Sequence, residues 1–358
     1  MTAEKARIAV IGTGWWSTYT HLPGLLDNPS AELVAMCDQS PAALDKAKAA
    51  FDSVKPYQDY RELLASEKLD GVIVSTTHAT HYEVTKACLE AGLHVLLEKP
   101  MVLRAAHAHE LVDLAAHKGR ELIVGYPWHY TDLTRRARAI LESGELGAIQ
   151  FTSSLFVSMT IQFYRGNDEA YRPVFQYPVT GPGRNYSDPA ISGGGQGHLQ
   201  VTHSAGTLFF ITGLQAERVA AFMGNWDVKV DVVDAISARF APANGQAAVG
   251  TFGSTGNISQ GDGGQLETGV YCERGYLRLD QGQGTLSVRR HDGREERWDL
   301  AVENRYPRFA TSQNLVDVIL GRGENGSPGV VGARVVELLE AAYISAGNGG
   351  QAVNVADL

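Results

Sequence analysis

The 358-residue sequence contains little cysteine, no long apolar run and no excess of basic residues. Its three cysteines, Cys37, Cys88 and Cys272, lie far apart, so they indicate reduced, buried thiols rather than a disulfide framework or a thiolate metal site. No stretch reaches the roughly 18 apolar residues that a membrane-spanning helix requires. The formal net charge of −9, without a basic stripe, argues against a nucleic-acid-binding surface.

Composition and the first residues place the chain in a broad class. Met1 to Arg7 is polar, and the first apolar run is only as long as a strand, so we expect no secretory signal segment. Together with the unpaired cysteines, this predicts a cytoplasmic protein. A hydrophobic content of 44% and a charged content of 20% are typical of globular proteins, and the length suits two domains.

The chain opens with an aliphatic run, residues 8–11, that predicts a buried strand. Gly12, Gly14 and Ser17 follow it with the G-x-G-x-x-small spacing of a dinucleotide-binding turn. In such turns the first glycine permits the tight turn, the second lets the backbone approach a pyrophosphate, and the small residue lets the helix pack closely. The free N–H groups at the start of the helix then face the phosphates. A purely structural end of a strand is the alternative.

An acidic residue, Asp38, ends the second predicted strand, residues 32–37. A carboxylate at this position can accept hydrogen bonds from the adenosine ribose hydroxyls. It would also repel a 2′-phosphate, so Asp38 favours NAD over NADP. The alternative is that Asp38 is the N-cap of the helix that starts near Pro41.

Strands and helices continue to alternate up to residue 125. Further buried strands at 70–75, 94–97 and 122–125 are separated by predicted helices, which is typical of a doubly wound parallel sheet. Such sheets bind ligands at the carboxyl ends of their strands. The chemistry-bearing residues that follow two of these strands are Thr76, Thr77, His78, His81, Glu98 and Lys99.

Lys99 comes just after a strand and is followed by Pro100, a residue that can adopt a cis peptide bond. Burial beside a cationic nicotinamide would lower the pKa of Lys99 and suit it to proton exchange with a hydroxyl. The alternative is a surface lysine paired with Glu98.

These segments resemble the Gfo/Idh/MocA oxidoreductase family. Residues 91–100, Ala-Gly-Leu-His-Val-Leu-Leu-Glu-Lys-Pro, are similar to the family signature A-G-x-H-V-x-x-E-K-P, and Gly-Glu-Leu-Gly at 144–147 agrees as well. The resemblance implies a Rossmann domain over 1–125 and a C-terminal α/β domain over 126–358 with an open, mainly antiparallel sheet. It implies that the last helix can pack back on the first domain. It also implies NAD(P), a sugar or cyclitol substrate, and an active-site role for Lys99.

The second half is predicted to be rich in antiparallel strands. Alternating runs and glycine-containing turns lie at 149–159, 217–225, 231–240, 247–254, 268–273, 276–280 and 285–289, and helices are expected at 304–320 and 330–346. One face of this sheet would be covered. The other could form a homodimer or homotetramer interface, as is common in the family.

A long loop, residues 166–192, carries aromatic rings and arginines that suit stacking on a sugar. The alternative is an ordered surface loop that packs on a neighbouring subunit. A run of glycines then opens a helix on which, by the resemblance, His203 falls on the family's catalytic histidine and Leu199 on its aspartate. Residues four apart share a helix face, so His203 lacks its usual carboxylate partner.

We expect Gln200, Gln196 or Asp188 to fill that polar role, and the pKa of His203 to stay near its reference of roughly 6.5. As general base, His203 would take the proton of the substrate hydroxyl. The alternative is a helix histidine satisfied by a backbone carbonyl.

The candidate site residues fall into two groups. The cofactor candidates are Gly12, Thr13, Gly14, Trp15, Trp16, Asp38, Thr76, Thr77, His78, His81, Glu98 and Lys99. The substrate candidates are Lys99, Tyr126, Trp128, His129, Arg172, Tyr186, Asp188, His198, Gln200 and His203, of which Lys99 and His203 are the catalytic candidates. His198 and His203 are five apart without an acidic partner nearby, so we expect no metal site.

The sequence therefore predicts an NAD-dependent oxidoreductase that moves a hydride between nicotinamide and a hydroxyl-bearing carbon of a sugar, glycoside or cyclitol. Its expected partner is that small molecule, without nucleic acid or membrane. An NAD-dependent glycosidase, which oxidises C3, eliminates the aglycone, adds water and reduces again, is the main alternative. A non-catalytic NAD-binding scaffold is disfavoured because Lys99 and His203 are both present.

Overall fold

The computed structural model describes residues 5–242, 246–259 and 261–358, which build two β-sheets. The first sheet, sheet A, consists of β1 (Ala6–Ile11), β2 (Ala31–Cys37), β3 (Lys55–Tyr57), β4 (Gly71–Val74), β5 (His94–Leu97) and β6 (Leu122–Val124). All neighbouring strands pair in parallel in the order β3-β2-β1-β4-β5-β6. The strand order reverses between β1 and β4, so this edge is a switch point of the kind that binds ligands. The predicted doubly wound sheet is confirmed.

Helices cover sheet A and continue into the second half of the chain. They are α1 (Leu22–Leu26), α2 (Pro41–Ala50), α3 (Tyr60–Ser66), α4 (His81–Glu90), α5 (Ala105–Lys118), α6 (Asp132–Glu142), α7 (Ile161–Tyr164), α8 (Pro189–Ser192), α9 (Thr202–Thr212), α10 (Ala310–Ile319) and α11 (Gly329–Gly347). Wider, π-helical turns, Ser17–His21 and Gly197–Val201, lead into α1 and α9. Such turns often lie at functional sites.

The second sheet, sheet B, has nine strands in the order β14-β13-β12-β11-β7-β10-β9-β8-β15. They are β7 (Ile149–Val157), β8 (Ala216–Gly224), β9 (Val233–Phe240), β10 (Val249–Thr255), β11 (Gln265–Cys272), β12 (Gly275–Asp280), β13 (Thr285–Arg290), β14 (Glu295–Asp299) and β15 (Val353–Asn354). β7 and β10 pair in parallel, and the other neighbours are antiparallel. The expected mainly antiparallel sheet is confirmed. The sequence did not predict β14, which is polar and exposed, or the two-residue β15.

Helices from the C-terminal part of the chain join the two sheets. Leu315 and Val316 of α10 are fully buried against Ile8 and Ile73 of sheet A. The helix expected from residue 304 begins only at Ala310, because Pro307 restricts the backbone before it. α11 lies between α5 and β8: it reaches α5 through Glu337 and His109 (2.8 Å), and Ser345 Oγ accepts the N–H of Ala221 on β8.

Sheet B has one covered face and one open face. Burial alternates strictly along β9, as a half-covered antiparallel strand requires. The open face carries exposed apolar side chains, including Phe151 (37% exposed), Val249 (50%) and Phe222 (69%). Among the described residues, no helix combines the length and the apolar character needed to cross a membrane.

Candidate active site

A cavity of about 1560 Å³ lies between the carboxyl edge of sheet A and the covered side of sheet B. At one end it is lined by the turn after β1 and by the ends of β2 and β4. At the other end it is lined by β7, α9 and the loop before α8. Lys99 and His203 both line this cavity. The two catalytic candidates, which lie 104 residues apart in the sequence, therefore come together in the fold.

The glycine turn after β1 leaves open space for a ligand. Gly12 has φ +96°, and a Cβ there would lie 2.3 Å from the carbonyl oxygen of Ser75. Only glycine therefore allows the ends of β1 and β4 to approach. A Cβ on Gly14 would meet no atom within 4 Å, and Ser17 Oγ donates to the Gly12 carbonyl at 2.6 Å. The turn thus forms a cradle that a side chain at position 14 would fill, which fits a pyrophosphate at the start of a helix.

The Asp38 carboxylate is held at this end of the cavity. Its Oδ2 accepts hydrogen bonds from the backbone N–H (2.8 Å) and the hydroxyl (3.0 Å) of Thr13, and its Oδ1 accepts the N–H of Ser40 (2.9 Å). The N-cap of α2 is Ser40, which accepts from Ala43, so capping that helix is not the task of Asp38. Oδ1 accepts only one of these bonds and keeps a free lone-pair site, so Asp38 can accept a hydrogen bond from a ribose hydroxyl.

Glu98 is a buried carboxylate with three donors. Its Oε1 accepts from Trp16 Nε1 (2.9 Å) and from His21 Nε2 (2.8 Å), and its Oε2 accepts the N–H of Lys99 (3.1 Å). Burial alone would raise the pKa of Glu98, but the hydrogen bond and charge of His21 and the charge of Lys99 outweigh it, so the pKa is lowered. A Cβ on Gly125 would lie 2.8 Å from Glu98 Oε1, so glycine makes room for this carboxylate.

Lys99 reaches across the cavity. Its Nζ donates to the carbonyl of Leu199 at 3.1 Å, just before α9, and the Lys99–Pro100 peptide bond is cis. Burial lowers the pKa of Lys99 to about 8, partly opposed by the charge of Glu98. An amine with this pKa exists in both protonation states near neutral pH, so it can take up or release a proton.

His203 lies on α9 among aromatic rings and is only 8% exposed. Its ring meets Trp128 edge-on at 5.1 Å, and its Nδ1 has no hydrogen-bond partner among the described residues. Burial first, then the charges of Lys99 and His129, lower the pKa of His203 well below 6.5. The expectation of a nearly unperturbed pKa is wrong, because α9 removes the imidazole from water and no carboxylate compensates.

Five of the substrate candidates line the cavity: Lys99, Trp128, Tyr186, Gln200 and His203. Tyr126 and His129 do not. The Tyr126 hydroxyl is paired with Thr202 Oγ1 (3.1 Å) in the core. His129 is fully buried, stacks on Phe210 at 4.3 Å and bonds to Ser327 Oγ through Nδ1 (2.9 Å). Both were expected at the substrate, but the short 3₁₀ turn after β6 directs them under α9.

The other three substrate candidates also point elsewhere. Arg172 is exposed and pairs with Glu169, and Asp188 is exposed and caps α8 by accepting the N–H of Ala190 (3.0 Å). His198, in the π-helical turn before α9, stacks on Tyr343 at 4.6 Å and does not line the cavity.

The expected polar partner of His203 is also corrected. Gln196 is fully buried and bonds to hydroxyls of the surrounding core, namely those of Ser158, Thr160, Tyr164 and Ser254. Asp188 lies on the surface, so Gln200 is the one of the three expected residues that lines the cavity. No hydrogen bond joins Gln200 to His203 within the described parts of the chain.

The cofactor candidates come together with one exception. Those that line the cavity are Gly12, Gly14, Trp15, Trp16, Asp38, Thr76, Thr77, His78, His81, Glu98 and Lys99. Thr13 is fully buried and holds Asp38 from behind. The two histidines also form hydrogen bonds to backbone carbonyls. His78 Nδ1 lies 2.8 Å from the carbonyl oxygen of Ser192, and His81 Nδ1 lies 2.8 Å from that of Pro100.

Sequence reasoning missed the residues that hold α9 in place. Asp231 accepts the N–H groups of Gly195 and Gly197 at 2.7 Å each and the hydroxyl of Tyr343 at 2.8 Å. A Cβ on Gly194 or Gly197 would lie 2.2 or 2.6 Å from that hydroxyl. The glycine run was the available signal, and close packing against Tyr343 and Asp231 is its cause. His21 was missed too, although it is a lone histidine in a helical turn in which every residue but Tyr19 is buried.

No group of three or more histidine, cysteine, aspartate or glutamate side chains in the described ranges could hold a metal ion.

Comparison with known proteins gives two matches to models of one family. The model described as "Oxidoreductase family, NAD-binding Rossmann fold" matches residues 6–126, and the "GFO/IDH/MocA C-terminal domain" model matches residues 134–278. Together these segments cover most of the chain.

Dehydrogenases are among the similar curated proteins. A 1-carboxy-3-chloro-3,4-dihydroxycyclo hexa-1,5-diene dehydrogenase of Comamonas testosteroni is 28% identical over 69% of this chain and 57% of its own length. A D-glucoside 3-dehydrogenase of Escherichia coli K12 is 30% identical over 43% of this chain and 44% of its own length. The chain thus spans only about half the length of these relatives.

Solved structures match along nearly the whole chain. The WlbA dehydrogenase of Bordetella pertussis, in complex with NADH and UDP-GlcNAcA, has a TM-score of 0.78 at 21% identity and 99% coverage of both chains. GenD2 from gentamicin A biosynthesis, in complex with NAD, has a TM-score of 0.76 at 23% identity, with coverage of 99% of this chain and 97% of that chain. At such identities these likenesses establish the fold.

Proposed function

We propose, since the chain belongs to the Gfo/Idh/MocA oxidoreductase family with its NAD-binding Rossmann fold, that it is an NAD-dependent dehydrogenase of a sugar, glycoside or cyclitol hydroxyl. One observation carries the proposal: the glycine cradle, Asp38, Lys99 and His203 line the same cavity. The D-glucoside 3-dehydrogenase among the similar proteins supports the substrate class.

The glycine-turn end of the cavity would hold NAD. Gly12, Gly14 and the start of the following helix would bind the pyrophosphate, and Asp38 would bind the adenosine ribose. When bound, a nicotinamide cofactor supplies a hydride acceptor or donor. NAD is favoured over NADP because Asp38 would repel a 2′-phosphate, and the nearby cation, Arg61, is already paired with Glu83.

The two candidate proton carriers have different protonation states. At pH 7, an amine with a pKa of about 8 is roughly one-tenth neutral, so Lys99 can accept the proton of a substrate hydroxyl and return it in the reverse direction. His203 stays neutral because its pKa is lowered well below 6.5. Its neutral imidazole would accept a hydrogen bond from the substrate hydroxyl and so orient that hydroxyl for proton transfer to Lys99.

A panel assay tests this proposal. The protein is incubated with NAD and with sugars, glycosides and cyclitols while NADH absorbance and released aglycone are both recorded. We expect NADH to accumulate with at least one substrate. Absence of NADH and of aglycone across the panel, in a protein that binds NAD, would contradict the proposal.

A second candidate function is redox-neutral glycoside cleavage. It is favoured by the room that the cavity offers beyond Lys99 and His203, where Phe175 and Tyr186 of the long loop line it. Transient oxidation of one carbon acidifies the neighbouring C–H, so a proton carrier beside it can drive loss of the aglycone. Aglycone release without net NADH in the same assay would establish this candidate in place of the dehydrogenase.

We further propose that the open face of sheet B joins copies of the chain into a homodimer or homotetramer. Exposed Phe151 and Val249 lie on adjacent strands there, beside the small residues Thr251 and Gly253. A flat face with apolar and small side chains is suited to self-association. The location in the cytoplasm stays a prediction, which the three buried free thiols support.

A further inference from the structure

The lining of the cavity changes in charge from one end to the other. Near the glycine turn, the charged lining residues are Asp38, Asp59, Arg61, Glu62 and Glu83. In contrast, the lining contributed by residues 128–306 contains no aspartate, glutamate, lysine or arginine within the described ranges. Lys99 is therefore the one cation that faces the described part of this second end, and it is bonded to the Leu199 carbonyl.

Four rings define the aromatic end of the cavity: Trp15, Phe163, Phe175 and Tyr186. The Trp15 ring lies 6.1 Å from Phe163 and 5.9 Å from Phe175, and its Nε1 donates to the Tyr186 hydroxyl at 3.2 Å. Phe163 lies 5.7 Å from Phe175 and 5.8 Å from Tyr186. With its one indole N–H bonded to Tyr186, Trp15 offers a ligand mainly an apolar surface.

The aromatic end begins next to the reacting groups. Leu199 belongs to the same buried cluster as Phe163, and it also lines the cavity. Lys99 Nζ is bonded to the carbonyl of this leucine. A sugar hydroxyl at Lys99 and His203 would therefore place the substituents of that sugar against Leu199 and the four rings. The lining side chains Asn185 and Gln200 can bind the remaining hydroxyls.

We infer that the aromatic end is a subsite for a flat, apolar aglycone, and that the substrate is an uncharged aryl glycoside. The inference rests on the proposed function. Aromatic side chains stack on flat rings, and their burial against an aryl group removes apolar surface from water. A phosphate, a carboxylate or a nucleotide diphosphate would instead be buried without a guanidinium or a second lysine to compensate for lost hydration.

The test compares phenyl with methyl β-glucosides, β-galactosides and β-xylosides as substrates in the presence of NAD. We expect the wild type to favour the phenyl member of at least one pair by tenfold or more in kcat/KM. Phe175→Ala should lower kcat/KM for the phenyl glycoside about tenfold more than for the methyl glycoside. Phe175→Leu keeps apolar volume without the flat ring and should give an intermediate ratio. Trp226→Ala, which removes an exposed aromatic ring that does not line the cavity, is the matched control and should keep the wild-type ratio.

Calorimetric titration of the NAD-saturated protein with phenyl and methyl β-glucoside gives a second readout that does not depend on turnover. Equal kcat/KM for phenyl and methyl glycosides would overturn the aglycone subsite and leave the dehydrogenase proposal intact. Preference for glucose 6-phosphate or UDP-glucose would do the same. Absence of turnover, together with phenyl-selective binding that Phe175→Ala abolishes, would support the subsite and contradict the proposed function.

Discussion

At the glycine-turn end of the cavity, backbone groups and short polar side chains at strand ends set the geometry. At the aromatic end, the rings of Trp15, of Phe163 on α7 and of the long loop do so. The first end depends on a short motif, in which Ser17 Oγ donates to the Gly12 carbonyl at 2.6 Å and Gly14 leaves open space beside it. The second depends on contacts between residues far apart in sequence, such as Trp15 and Tyr186. Chemistry that is common to a fold can rest on a local motif, but substrate selection requires the assembled tertiary structure.

The largest effect is expected from removing Lys99 or His203, the side chains between the two ends of the cavity. Lys99→Ala and His203→Ala should each lower kcat by about 100- to 10,000-fold, the usual contribution of a general acid or base. NAD affinity should change little, because neither residue belongs to the glycine turn. Steady-state kinetics and NAD titration measure both effects, and Lys118→Ala on the surface is the control. Near-full turnover in either variant would refute the role of that residue.

A pair of glycine variants tests the roles given to Gly12 and Gly14 in the glycine turn. Gly14→Ala adds a methyl group to open space, so stability should hold while NAD affinity falls tenfold or more. Gly12→Ala places a Cβ 2.3 Å from the Ser75 oxygen at φ +96°, so it should also lower the free energy of unfolding by about 2 kcal/mol. Thermal unfolding and NAD titration distinguish the two. Unchanged NAD affinity in Gly14→Ala would contradict the cradle.

The pH dependence of turnover tests how burial shifts the pKa values of Lys99 and His203. Neutral Lys99 is the form that accepts a proton, so kcat/KM for oxidation should rise about tenfold per pH unit up to its pKa of about 8 and then level off. His203 should add no acid limb above pH 6.5, because its pKa is lowered well below that value. The pH–rate profile of the wild type measures both.

Leu199→Asp extends that test from the second end. A carboxylate four residues before His203 should stabilise the imidazolium and raise the pKa of His203, so that the kcat/KM profile gains an acid limb from His203 that the wild type lacks above pH 6.5. Leu199→Asn, of similar size but neutral, is the control. A Leu199→Asp profile that gains no acid limb from His203 would show that residue 199 does not affect His203.

At the cofactor end, the smallest expected effect is on the preference for NAD over NADP. The wild type should bind NAD about tenfold or more tightly than NADP, and Asp38→Ala should narrow that difference by removing the repelling charge. Asp59→Asn, which removes another negative charge from the cavity lining, should leave the difference nearly unchanged. Fluorescence titrations with both cofactors provide the measurement. Equal binding by the wild type would remove the role given to Asp38.

The smallest effect on kcat is expected from a substitution outside the cavity, on the open face of sheet B. Thr251→Arg puts a charge in the middle of the open face of sheet B and should dissociate an oligomer formed there, while kcat changes little. Size-exclusion chromatography with light scattering reports the mass. A wild-type monomer, or an oligomer that survives Thr251→Arg, would contradict an interface at this face.

Much of the first end could be predicted from the sequence because its determinants are short-range. The spacing of Gly12, Gly14 and Ser17 encodes a turn, and alternating apolar runs encode sheet A. Placement of single side chains was less predictable. His129 and Trp128 are adjacent in sequence, yet one stacks in the core on Phe210 and the other lines the cavity, because a 3₁₀ turn separates their directions.

The sequence by itself determined the two-sheet α/β architecture, the glycine cradle, the acid at Asp38 and the lysine after β5, since each is written in local spacing or periodicity. Only the tertiary structure decided that Glu98 is bonded to His21, that Asp231 and Tyr343 hold the start of α9, and that His203 has a strongly lowered pKa. Desolvation and long-range hydrogen bonding set these properties, and both depend on which distant segments come into contact.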